Sequence, residues 1–71
     1  MLKLYDIVRL KTTNKQLGLS TKCIGTIVDV LNDGKAFTVE FIDDFGNTVE
    51  EALFTEFAPE ELVKVPFDDP V

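Results

Sequence analysis

A chain of 71 residues with a formal charge of −6 and a hydrophobic share of 45% is one globular domain near the lower size at which a hydrophobic core alone holds a fold. It is too apolar for a disordered acidic segment. With no histidine and one cysteine, the commonest general base and metal ligand is missing and no internal disulfide can form.

The first apolar pattern, Leu4–Leu10, reads as a strand. Leu4, Val8 and Leu10 share one face with Asp6 as the exception, and Tyr5, Ile7 and Arg9 share the other. Lys11–Lys22 then turns polar, interrupted by Leu17 and Leu19. This connection is longer than most, so it is either packed down by one of those leucines, the reading we favour, or a functional surface.

Cys23–Leu31 is the second strand, with Ile24, Val28 and Val30 expected inward and Gly25 marking a bulge or a close backbone approach. Asn32-Asp33-Gly34-Lys35 predicts a short hairpin, because Gly34 accepts the left-handed conformation that a primed turn or Gly bulge needs. In the third strand, Ala36–Ile42, the residues Phe37, Val39 and Phe41 alternate cleanly onto the core face.

A five-residue turn at Asp43–Asn47, with Gly46 at positive φ, leads to a fourth strand over Thr48–Phe54. The simple register pairs Ile42 with Thr48 and sets Glu40 opposite Glu50, two like charges on the outer face. It also drives Glu51 toward the core. Burying that charge alone is too costly, so we expect a bulge at Glu50-Glu51 that returns Ala52 or Leu53 to register, with Phe54 and Phe57 covering the open end. Pro59-Glu60-Glu61 suits one helical turn anchored by Leu62. Val63–Val65 is the last strand, Pro66 stops it, and 67–71 is a short acidic tail after a domain spanning 1–66.

These elements describe an all-β domain, a small five-stranded SH3-like barrel with one short helical turn before the last strand. The residues also resemble a family. Tyr5-Asp6-Ile7-Val8-Arg9-Leu10, Gly25-Thr26-Ile27-Val28 after a polar loop, Phe37-Thr38-Val39-Glu40-Phe41, Gly46-Asn47-Thr48 and Pro59-Glu60-Glu61-Leu62 are similar, in that order, to the small bacterial family called domain of unknown function 4926. The resemblance runs from Leu4 to Val65 and departs in the longer, more acidic Glu50–Phe57 stretch. It implies an SH3-like barrel and carries over no catalytic residues.

Charge divides the chain. Residues 1–22 hold five cations and one acid, whereas 23–71 hold two cations and twelve acids. Opposite charges at the two ends stabilise one another slightly when the ends pair, and the second half offers an acidic face to a basic partner.

Enzymatic chemistry is thin. Cys23 has Lys22 beside it but no His or second Cys to complete a nucleophilic or redox pair, and it reads as a small hydrophobe. Asp43, Asp44, Glu50 and Glu51 lack the alternating ligands of a calcium loop and read as a solvated hairpin. No cofactor is expected.

The expectation is a non-enzymatic module that binds another protein, a basic one, as an inhibitor, antitoxin-like or regulatory partner. Its candidate contact residues are Tyr5, Asp43, Asp44, Phe45, Glu50 and Glu51. Phe45, an aromatic at a turn tip beside Asp43 and Asp44, either folds back onto the core or projects as a hot spot.

Two alternatives stand beside this. One is a KOW-like nucleic-acid barrel using the basic 9–22 region, opposed by acids within a Debye length of about 10 Å. The other is a structural subunit of a larger complex. The chain has no apolar run approaching the roughly 18 residues of a membrane span, and its start lacks the long apolar region of a secretory signal. No membrane association is expected, and the expected compartment is the cytoplasm.

Overall fold

The computed structural model describes residues 2–66; the acidic tail expected at 67–71 lies outside the described residues. Within them, four strands form one antiparallel sheet in the order β3-β2-β1-β4: β1 Ile7–Leu10, β2 Ile24–Leu31, β3 Ala36–Ile42 and β4 Leu62–Lys64. The expected β-character therefore holds, with four strands rather than five.

β1 starts three residues later than its pattern suggested. Lys3–Asp6 forms a turn in which the Asp6 amide donates to the Lys3 carbonyl at 3.1 Å and the Asp6 carboxylate accepts from the Lys3 amide at 2.9 Å. Leu4 is left exposed, while Val8 and Leu10 are buried as expected. The buried Asp6 carboxylate also faces the Lys64 ammonium at 3.7 Å. This explains why an acid sits on the core-facing side of the pattern: a buried carboxylate is tolerated when its charge has a cation and an amide.

In β2 the inward set is the reverse of the expected one. Cys23, just before the strand, and Ile27 are buried, whereas Ile24, Val28 and Val30 are exposed. Both faces of Cys23–Leu31 are apolar, so alternation does not choose between them. The choice is made by Gly25, whose missing side chain lets Val39 and Phe41 of β3 close over it. A register shift between Ile27 and Asp29 then absorbs one extra residue opposite β3.

The β2–β3 connection is a primed turn, one of the two forms expected. Asp33 and Gly34 both have positive φ, 57° and 89°, and the Lys35 amide donates to the Asn32 carbonyl at 3.2 Å. β3 buries Phe37, Val39 and Phe41, as its clean alternation predicted.

Beyond β3, Ile42 pairs with Thr48 and the Val49 amide donates to the Phe41 carbonyl at 2.9 Å, so the predicted fourth strand begins in its predicted register. It then leaves the sheet. Glu50–Phe54 is a 3-10 helix, which replaces the expected bulge and serves the same physical end. Glu50 and Glu51 stay in water while Ala52 is fully buried. The chain returns to β3 only at Phe57, which exchanges two backbone hydrogen bonds with Phe37 at 2.8 and 2.9 Å.

Phe57 is fully buried and stacks edge-on against Phe41 with ring centroids 5.3 Å apart. Phe54, expected beside it over the core, is instead 90% exposed. The 3-10 helix turns by about three residues per turn, so Glu51 and Phe54 fall on one outward face.

The helical turn before the last strand is present at Pro59–Glu61, with the Glu61 carboxylate accepting from the Ala58 amide at 2.9 Å. β4 begins at the buried Leu62, one residue earlier than expected, and pairs with β1 through Val8–Lys64, Arg9–Val63 and Leu10–Leu62. In the long first connection Asn14 and Leu19 pair, and Leu19 is fully buried, so the loop is packed down as favoured. No helix among the described residues is long and apolar enough to cross a membrane.

Candidate functional site

The Asp43–Asn47 turn is built around one carboxylate. Asp43 Oδ1 accepts from the amides of Phe45 and Asn47, each at 2.9 Å, while the Asp43 amide donates to the Asn47 carbonyl at 2.8 Å and the Gly46 amide to the Asp43 carbonyl at 3.1 Å. Aspartate suits this position because its short side chain reaches backbone amides two and four residues on. Gly46 has φ of 83°, which a side chain would oppose.

Phe45, on this turn, is 88% exposed. Of the two orientations open to it, projection is the one adopted. Asp44, beside it, lies with Oδ1 3.9 Å from the Cys23 thiol, whose sulfur is also 3.7 Å from the Ser20 hydroxyl. Cys23 itself is buried and serves as a small core residue at the start of β2, tying the turn to the end of the long loop.

The acidic turn and the 11–22 loop meet. Lys15, Gln16, Leu17 and Gly18 form one wall of an open cleft of about 610 Å³, and Asp43, Val49, Glu50 and Glu51 form the other. Leu17 and Val49 pack against the core from opposite walls, giving the cleft an apolar floor under a rim of three carboxylates and one ammonium. The sequence offered the loop as a functional surface only in the less favoured reading, and apart from the hairpin. In the fold they are two sides of one cleft.

Tyr5 does not join them. It lines a different cleft with Asp6, Ile7, Lys64, Val65 and Pro66. Its φ of 71° is uncommon for a residue with a side chain. The conformation is held by its amide bonding to the Ile27 carbonyl at 2.8 Å and by the Lys3–Asp6 turn around it. The ring is 72% exposed.

Phe54 was missed as a surface residue. The signal was present in Glu50-Glu51-Ala52-Leu53-Phe54, where one small residue lies between two acids and a bulky pair: a three-residue turn buries Ala52 and turns Glu51 and Phe54 outward together. Among the described residues no group of three or more His, Cys, Asp or Glu side chains is placed to hold a metal ion.

The family model described as Domain of unknown function (DUF4926) matches residues 4–62, from the turn before β1 to the first residue of β4. Searches of the curated proteins and of the solved structures return no match. The matched span takes in the long loop, the acidic turn and the 3-10 helix, and the chain belongs to the DUF4926 family.

Proposed function

We propose that this domain is a non-enzymatic, SH3-like protein-binding module that docks a basic protein partner in the cytoplasm. The SH3-like reading is supported by the way 48–57 runs back along β3. It touches that strand at Ile42–Thr48 and Phe37–Phe57 and stands in for a fifth strand interrupted by a 3-10 helix. The functional reading is carried by Phe45: an aromatic side chain almost wholly in solvent on a hydrogen-bonded turn, preceded by Asp43 and Asp44.

A ring presented on a rigid turn loses little freedom on binding and supplies a large apolar contact. The surrounding carboxylates, with Glu50 and Glu51 on the adjoining wall, attract a cationic surface and speed encounter. Masking a basic site on another protein is the mode of an inhibitor or antitoxin-like regulator. The nucleic-acid alternative is weakened by Lys15, which faces three acids across the cleft instead of extending a basic track.

The test compares the tagged full chain with its Phe45→Ala variant in capture from lysate, with elution in salt steps. A stoichiometric basic protein held by the first, released by salt and lost in the second at unchanged thermal stability, supports the reading. Recovery of nucleic acid, or capture that Phe45→Ala leaves intact, overturns it. A partner that resists salt would make the domain a structural subunit.

A further inference from the structure

The face of the sheet opposite the core carries aliphatic side chains in register and is covered by no described residue. Ile42 pairs with Ile24, Ile24 with Arg9, and Arg9 with Val63, so these four form one row across β3, β2, β1 and β4. The next row runs Glu40, Thr26, Ile7. Ile24 and Ile42 are 48% and 45% exposed. The long loop and the 3-10 helix both pack on the other side, where Leu19 and Ala52 join the core. Solvent-facing β-branched pairs of this kind are a liability for a monomer.

On this face Arg9 of β1 and Glu40 of β3 stand at diagonal positions about the isoleucine pair, with Asp29 of β2 one row further along beside Thr38. A cation and an anion set diagonally about an apolar pair complement a copy of the same arrangement. A two-fold axis lying between the two faces, midway between Arg9 and Glu40, sets each arginine over the partner copy's glutamate and brings the Ile24–Ile42 pairs together.

We propose that the outer face of the sheet is a self-association surface that pairs two copies of this chain, with Arg9 and Glu40 fixing the register. The face spans roughly 300–400 Å² in projection from strand spacing and rise, well under the ~800 Å² per partner of a standard-size interface. The dimer is therefore weak and reversible. The surface is separate from Phe45, so this inference and the docking function fail independently.

Sedimentation equilibrium of the full chain, at fixed ionic strength and up to millimolar protein, tests it. Wild type is expected to show a monomer–dimer equilibrium, and Phe45→Ala to leave it unchanged. Arg9→Glu and Glu40→Arg each place like charges together at two symmetric contacts and weaken the dimer about tenfold; the double variant, with the charges exchanged, recovers it. Ile24→Lys, at an exposed position, abolishes association while the melting temperature holds.

Recovery in the double variant is the outcome that a nonspecific apolar patch does not give. A chain that stays monomeric throughout overturns the proposal. Association without recovery overturns the arrangement, and loss of a different captured protein by Ile24→Lys assigns the face to that partner instead.

Discussion

Gly25 and Phe41 are opposed across β2 and β3 at a separation that admits no side chain. A Cβ placed on Gly25 would stand 2.7 Å from Phe41 Cδ1 and 2.6 Å from Val39 Cγ1. Both neighbours are fully buried and held by the core. Gly25→Ala is therefore expected to lower stability by about 1–3 kcal/mol through overpacking, read as a lower urea midpoint at unchanged slope. An unchanged midpoint would show that the Phe41 ring and the Val39 methyl yield to the added atom.

Phe57 closes the core from the far end of the interrupted segment. Its ring meets Phe41 at 71° and its backbone is bonded to Phe37. Phe57→Ala is expected to cost about 3–5 kcal/mol, a large part of the stability of a domain this small. Phe57→Leu, keeping most of the volume, is expected to remain folded with a reduced melting temperature. Near-ultraviolet circular dichroism separates the two.

The acidic turn depends on one acceptor. Asp43→Ala removes the shared acceptor of the Phe45 and Asn47 amides and is expected to cost about 1 kcal/mol. Asp43→Asn, which retains an oxygen in place, is expected to cost less than half as much. Amide hydrogen exchange at Phe45 and Asn47 should accelerate in the first variant and remain near wild type in the second.

At the other end of the sheet, the roles of Asp6 and Lys64 are unequal. Lys64 is half exposed and Asp6 is buried, so Lys64→Ala is expected to change stability by less than about 1 kcal/mol. Asp6→Ala also strips the Lys3 amide of its acceptor and is expected to cost about 1–2 kcal/mol. Thermal denaturation of the two single variants ranks them; the reverse order would place the energy in the ion pair and not in the turn.

Phe45 and Phe54 are the most exposed of the large apolar side chains. Alanine at either position is expected to move stability by no more than about 0.5 kcal/mol. A larger loss in chemical denaturation would mean that one of them is covered in solution.

The sequence made the third strand legible because Phe37, Val39 and Phe41 alternate with polar neighbours, and it made both turns legible because Gly34 and Gly46 accept the left-handed conformation that those turns need. It misdirected at β2, where Ile24, Val28 and Val30 compete with Cys23, Ile27 and Leu31 on equal hydrophobic terms. There the deciding quantity is the space above Gly25, which belongs to another strand. It misdirected again at Glu50–Phe54. The cost of burying Glu51 was read correctly, but a 3-10 helix and a bulge both relieve it, and the choice rests on whether Ala52 fits under β3. At the candidate surface, the acids and Phe45 were visible as residues. The cleft that joins Asp43, Glu50 and Glu51 to Leu17 and Gly18 was not, because it comes from folding the long loop against a turn about thirty residues away in the chain.

The return of the chain to β3 also limits how large an assembly can grow. With Phe37 already bonded to Phe57, the Phe41 carbonyl taken by Val49, and the 3-10 helix packed on β3 between them, that margin of the sheet cannot template another strand. The opposite margin is β4, three residues long and followed closely by Pro66. A sheet that can be extended on one side only ends after a single addition, so strand-by-strand growth into a fibre has no second site from which to continue.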